Sequence, residues 1–234
     1  MNGAPVAREN AELSEASRSP IIPARYYSLH THTMLMMSAA LGLKDKYTQA
    51  HGQRVAVYSG RLAEFLNLPS KEIQLITMGG LLHDIGKLAL SDRIFSNCKT
   101  SLSQDMLCEV RNHPILGAKL LQRINCAPQV CNVVLYHHER VDGSGYPHGL
   151  SGEEIPLGAR IVGIVDCFDA ITTDRPYQKR KGCEEAFNLL SEMAGVSLQA
   201  ELVRAFIREI RQHGMIPSNQ TAAPIHLPVA ATAH

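Results

Sequence analysis

The segment Leu157–Ile171 (LGARIVGIVDCFDAI) constrains the fold most, because it is apolar nearly all round yet carries two carboxylates. A helix apolar on every side belongs at the centre of a domain. Asp166 and Asp169 interrupt it, and a carboxylate in that setting needs a cation or several donors, since an unpaired buried charge is costly. Asp166 is the sharper case and reads as a metal ligand. Asp169 is equally suited to capping or to a local pair. Other elements must therefore wrap this helix and bring positive charge to it.

The partners stand in four other places. Tyr136–Pro147 (YHHERVDGSGYP) sets two adjacent histidines, His137 and His138, at the end of an apolar run and follows them with a glycine-spaced turn. A second apolar helix, Lys71–Leu82, runs into His83-Asp84-Ile85-Gly86-Lys87. Neighbours on a helix point about 100° apart, so His83 and Asp84 suit one ion together while Asp84 reaches sideways to another. Lys87, three residues beyond Asp84, lies on the same side if the helix persists past Gly86; the plainer reading of that spacing is an i,i+3 surface ion pair. His113 precedes a proline, and His51 sits in the first turn of a helix read over Gln49–Asn67, where it is neither a good cap nor a core filler.

The rest of the chain reads as helices and loops, with no convincing strand and no internal repeat. Ser70 is the expected N-cap of Lys71–Leu82 and Ser103 of a short helix reaching Asn112. Ile115–Ile124 and Pro128–Tyr136 continue the helical pattern, Ser151 and Glu154 have capping-box spacing, and Cys183–Met193 and Gln199–His213 are amphipathic. Four regions are expected: a flexible segment 1–24, a helical extension 25–46, a helical domain 47–214 and a flexible tail 215–234. The methionine-rich Leu29–Leu43 suits adaptable packing or a contact surface, with self-association or a regulatory protein as its partner. His30 and His32 there point to different sides of a helix.

Composition narrows the function classes. A formal charge of +1 offers no basis for binding a nucleic-acid polymer or a membrane surface. No apolar run reaches the roughly 18–20 residues of a membrane span. The 6 cysteines show no Cys-x-x-Cys spacing and no secretory signal precedes them, so the expectation is a soluble, reduced, cytoplasmic protein.

The candidate ligands are thus His51, His83, Asp84, His113, His137, His138 and Asp166. They are all nitrogen or oxygen donors, which suit Fe, Mn, Co, Ni or Zn, and they are too many for one ion. The proposed division places one ion on His51, His83, Asp84 and Asp166, and a second on Asp84, His113, His137 and His138. Two ions roughly 3.5–4 Å apart share and acidify a water as a bridging hydroxide. With Lys87 on a non-bridging oxygen, this fits phosphoester hydrolysis by in-line attack.

With those residues placed, the chain from Tyr47 to Arg211 resembles an HD-GYP domain, a branch of the HD phosphohydrolase superfamily. The resemblance rests on His51-Gly-Gln-Arg-Val-Ala, His83-Asp-Ile-Gly-Lys87, Asn112-His-Pro-x-x-Gly117 and Tyr136-His-His-Glu. It continues through Asp142-Gly-Ser-Gly-Tyr-Pro147, Asp166-x-x-Asp-Ala170 and Asp174-Arg-Pro-Tyr177. It implies an all-α HD-domain bundle with a buried dinuclear metal site, Fe or Mn first. The implied activity is hydrolysis of cyclic di-GMP to pGpG and onward to GMP. It adds Lys87 and Arg175 as phosphate contacts and Gly145-Tyr146-Pro147 as the loop beside the substrate, Tyr146 either touching the ligand or holding the turn.

Four positions depart from the family pattern. Tyr47 stands where some members place a glutamate that supports a third metal, so two ions are expected. Gln178 replaces a frequent basic residue. Leu198-Gln199-Ala200 replaces Phe-Asp-Pro, and Asn97-Cys98-Lys99 replaces Lys-Pro-Gly. The alternatives are the same chemistry on cyclic GMP-AMP, a nucleotide- or protein-binding signalling module without turnover, and an HD hydrolase of mononucleotides, against which the Gly-Ser-Gly-Tyr-Pro stretch argues. With no receiver or sensor domain ahead of the catalytic region, regulation is expected through another chain or residues 1–46.

Overall fold

The computed structural model describes residues 29–95, 102–174 and 179–216. The expected segment 1–24, the Asn97-Cys98-Lys99 loop, Arg175, Gln178 and nearly all of the tail lie outside those residues. The described chain is all-α. Its helices are α1 (Leu29–Lys44), α2 (Lys46–Phe65), α3 (Ser70–Leu82), α4 (Asp92–Phe95), α5 (Gln104–Arg111), α6 (His113–Arg123), α7 (Pro128–Tyr136), α8 (Leu157–Thr172), α9 (Cys183–Met193) and α10 (Ala200–His213). Short 3-10 turns cover Ile85–Ala89 and Gly152–Glu154. Among the described residues β pairing is limited to isolated bridges, Asp142 with Ser151 and Ala194 with Leu198.

Local chemistry explains most boundaries and corrects two. α2 begins at Lys46 because the Asp45 carboxylate accepts from the Tyr47 N–H at 3.0 Å. Apolar periodicity alone starts the helix late, so His51 lies in its second turn and not its first. Ser70 is not a cap. Pro69, with extended backbone, precedes the helix, and its carbonyl accepts the Glu72 and Ile73 N–H groups at 2.8 and 3.1 Å. Ser103 does cap α5, accepting from Met106 N, and Ser151 with Glu154 forms the capping box. α5 stops at Asn112 and α6 starts immediately with Pro114 in its first turn, where a missing N–H costs nothing.

α8 is the central helix. Its Phe168 ring meets Tyr58 at 5.6 Å, Phe206 at 5.0 Å and Phe187 at 6.1 Å, joining α2, α9 and α10 into one apolar cluster. A second cluster, built on Met34, Leu82, Ile85, Leu121 and Val134, joins α1, α3, α6 and α7. The clusters adjoin at α2 and α7, where successive residues (Val55 and Ala56, Val133 and Val134) belong to different clusters. α1 takes part in the bundle: Met34 and Leu41 are buried, while Met36 and Leu43 are 72% and 92% exposed. Leu35 is half-buried against the second cluster, so a charge there perturbs folding, and Met36 or Leu43 is the cleaner position for probing self-association. No helix among the described residues is long and apolar enough to cross a membrane.

Candidate metal and substrate site

Three of the candidate histidines are placed by one local device. The last carbonyls of an α-helix have no intrahelical partner. His83 follows α3, His137 follows α7 and His113 follows Asn112 at the end of α5, and each turns its ring back onto a carbonyl three residues earlier. The Nδ1 atoms donate to Gly80 O at 2.8 Å, Val134 O at 2.8 Å and Val110 O at 2.7 Å. That fixes the tautomer and leaves every Nε2 as a lone-pair donor aimed inward.

Gly86 brings these ends together. A Cβ there would lie 1.9 Å from His113 O and 2.6 Å from Gly117 N, so the Ile85–Ala89 turn packs directly on the start of α6. Asp84 consequently lies between two ligand sets, with Oδ2 3.4 Å from His83 Nε2 and Oδ1 3.3 Å from His113 Nε2. The ligand atoms of His51, His83 and Asp84 lie within 4.8 Å of one another, as do those of His113, His137 and His138. Asp166 is adjacent to the first set, its Oδ1 3.0 Å from His51 Nε2. Lys87 lies on the expected side of Asp84 and forms the i,i+3 pair, Nζ to Oδ2 at 2.7 Å, its side chain 27% exposed.

These residues fit metal ions. His83 Nε2 is buried and has no hydrogen-bond partner. His113 and His137 turn Nε2 atoms toward each other at 3.3 Å, and with both Nδ1 atoms protonated that contact sets lone pair against lone pair until a cation relieves it. Protonation states agree. Burial holds His113 down at about 4, and holds His137 and His138 below the usual imidazole range, so these rings are neutral at pH 7. Burial opposes charge on Asp84 and Asp166, but the Lys87 ammonium beside the first, and the His51 imidazolium beside the second, keep both carboxylates ionised. Neutral imidazoles and ionised carboxylates are what metal binding requires. His51 differs: burial opposes its charge, yet Asp166 and Asp169 raise it to about 9. Its Nε2 proton occupies the place a cation would take.

Around this cluster stand residues that sequence reasoning missed or left open. Asp169 neither caps nor pairs locally. It accepts from His51 Nδ1 at 2.7 Å and from Arg54 Nε and Nη2 at 2.6 and 2.8 Å, so one carboxylate orients the histidine and is itself neutralised. Arg54 lies three residues after His51 on α2, a spacing that was readable. Tyr47 stacks on His51, centroids 6.0 Å apart and planes 8° apart. Glu139, immediately after the histidine pair, is a buried clamp. Its oxygens accept from His148, Gly149 and Leu150 N–H at 2.7, 3.1 and 3.1 Å. That folds the 142–150 turn back so that Tyr146 stacks on His138 at 4.8 Å, with Gly145 close against the 139–140 backbone. Arg111 lies over the Tyr146 ring at 5.7 Å.

A cavity of about 250 Å³ opens beside the cluster, lined by Arg111, His138, Tyr146, Arg160, Asp166 and Gln199 among others. Of the expected substrate contacts, Gly145 and Tyr146 line it, Pro147 follows them in the same turn, and Arg175 lies outside the described residues. The arrangement is one of nitrogen and oxygen ligands for cations beside a pocket rich in guanidinium groups.

Comparison with known proteins gives consistent relatives. The chain is 36% identical over 208 residues to a cyclic di-GMP phosphodiesterase of Pseudomonas aeruginosa, covering 87% of this chain and 49% of that protein. It is 37% identical over 168 residues to a cyclic di-GMP phosphodiesterase of Thermotoga maritima (70% and 45%). It is 32% identical over 180 residues to 3′3′-cGAMP-specific phosphodiesterase 1 of Vibrio cholerae (76% and 42%). The chain therefore spans about half the length of the curated relatives it matches. Among solved structures, a HDG"Y"P protein from Bdellovibrio bacteriovorus aligns with TM-score 0.57 and 25% identity over 75% of this chain and 56% of that one. A cyclic GMP-AMP specific phosphodiesterase of V. cholerae shares the fold at TM-score 0.65 and 18% identity (85% and 53%). The HD domain family model matches residues 35–202, a span that holds every ligand candidate and the whole of α8, and on that match the chain belongs to the HD domain family.

Proposed function

We propose that this chain is a metal-dependent phosphodiesterase that hydrolyses cyclic di-GMP to pGpG and then, by a second cut, to GMP. The observation that carries the reading is the pair of adjacent ligand sets joined by Asp84 beside a cationic cavity, in a chain whose relatives act on cyclic dinucleotides. Two divalent cations, Fe or Mn by the donor set, would supply Lewis-acid polarisation of the phosphodiester and acidify a water. His51, His83, Asp84 and Asp166 would hold one of them, and Asp84, His113, His137 and His138 the other.

The chain's own residues do the rest. Asp169 and the three carbonyls at the helix ends hold the imidazole rings by their Nδ1 atoms, so their orientation is set before binding. Once Asp84 faces cations, Lys87, already partly exposed, is free to donate to a non-bridging phosphate oxygen. Tyr146, stacked on His138 and held by Glu139, walls the substrate side, and Arg175 is the second phosphate contact in this proposal. The proposed course is attack by water in line with the leaving oxygen, which departs with a proton as the alcohol.

Metal analysis and chromatography of cyclic di-GMP incubations test the reading. The expectation is about two Fe or Mn per chain and pGpG formation. Turnover should fall at least about a thousandfold, ~4 kcal/mol, in His83→Ala or Asp84→Ala and on chelation. Metal-loaded protein that turns over no cyclic dinucleotide would refute it. A second reading, preference for cyclic GMP-AMP, is favoured by relatives of that specificity at comparable identity. The ratio of kcat/KM for the two substrates decides between them.

A further inference from the structure

The cavity holds a cation that the chemistry above does not use. Arg160 lies on α8 six residues before Asp166, about 9 Å away along the helix axis, and both line the cavity. Among the described residues its guanidinium makes one hydrogen bond: Nη1 donates to Gln199 Oε1 at 2.8 Å. Its Nε is buried with no acceptor, and no carboxylate among the described residues lies within ion-pair distance of it. A buried donor without a partner is costly and points to a missing acceptor.

The carboxylates of the cavity are committed elsewhere, Asp166 to His51 and Glu139 to three backbone N–H groups. Gln199 is a neutral partner, accepting from the guanidinium without cancelling its charge. Nη1 is taken, so the free edge is the one formed by Nε and Nη2, the fork that grips two oxygens of a phosphate. Arg111 and Arg140 add positive charge to the same cavity.

We infer that Arg160, oriented by Gln199, binds the second, non-reacting phosphate of the cyclic dinucleotide while the first lies at the ligand cluster. The inference rests on the proposed function and deepens it. Arg160 and Asp166 stand at different levels of α8, about 9 Å apart along its axis, an offset that suits two phosphates held at once. A volume of about 250 Å³ is smaller than the roughly 300–1,000 Å³ that encloses a whole ligand, so a cyclic dinucleotide bound here extends beyond the cavity. A guanine edge would also accept from an arginine fork, but it is neutral and leaves the charge uncompensated.

Steady-state kinetics on the metal-loaded protein provide the test, with cyclic di-GMP and cyclic di-AMP as two-phosphate substrates and bis(p-nitrophenyl) phosphate as a one-phosphate control. Arg160→Gln should raise KM for both cyclic dinucleotides about 10- to 100-fold and leave the control substrate unchanged. Arg160→Lys, keeping a point charge, should recover part of the loss. Gln199→Asp should weaken binding about tenfold by pairing with Arg160, with circular dichroism and metal content matching the parent. Unchanged KM in both Arg160→Gln and Gln199→Asp would overturn the inference. A loss confined to guanine-bearing substrates and not relieved by lysine would overturn it in favour of base recognition. A parent that cleaves only the control substrate would refute the proposed function itself, and this inference with it.

Discussion

Phe168 and Asp169 are neighbours on α8, both buried, and the surroundings they enter have little in common. Phe168 meets three aromatic rings at 5.0–6.1 Å in contacts that are individually weak and broad in direction. Asp169 meets three N–H donors at 2.6–2.8 Å from two side chains of α2. The aromatic face sets where α8 lies, and a small error there is absorbed by many contacts. The carboxylate face sets which atom of His51 points at the ligand cluster, and an error there strands a charge in a place without water. One helix thus carries a forgiving half and an unforgiving half, and the site is built on the second.

If that contrast is right, its largest signature is Phe168→Ala, expected to cost about 3–5 kcal/mol in chemical denaturation. Adding Phe206→Ala should deepen the loss, because the cavity only grows. Arg54→Met comes next at about 3 kcal/mol, since it leaves Asp169 buried with a single remaining partner. Here the second change should work the other way. Arg54→Met combined with Asp169→Leu should be no less stable than Arg54→Met alone, a coupling of roughly 0.5–3 kcal/mol in a double-mutant cycle. Additive losses on the polar face would break the comparison. Glu139→Gln sharpens it: the new amide turns N–H groups toward a backbone N–H, costing about 1–2 kcal/mol. The loosened 142–150 turn should then raise KM for the cyclic dinucleotide with little effect on metal content. Smallest is Ser103→Ala, an exposed cap with a 3.4 Å bond, which should cost about 0.5 kcal/mol.

The legible parts of the molecule are those whose causes are local. Ser103, Ser151 and Glu154 act on N–H groups within three residues, so their roles followed from spacing. The apolar character of Leu157–Ile171 required a central helix whatever surrounded it. The boundary errors have equally local reasons. Asp45 starts α2 through a side-chain bond that apolar periodicity does not register, and Pro69 takes the place given to Ser70 because its own carbonyl already receives the first N–H groups.

The chain by itself determined the donor types, the helices that carry them and the need for cations near Asp166, because burial of polar groups in apolar helices admits few solutions. The tertiary structure decided which of those donors meet. Arg54 and Asp169 are 115 residues apart, and their contact depends on how α2 crosses α8. The facing of His113 and His137 depends on the close approach at Gly86. The open edge of Arg160 depends on Gln199, at the start of α10, coming beside α8. Pairings of that kind arise from packing between distant segments, and the physics that selects them acts only once the core has closed.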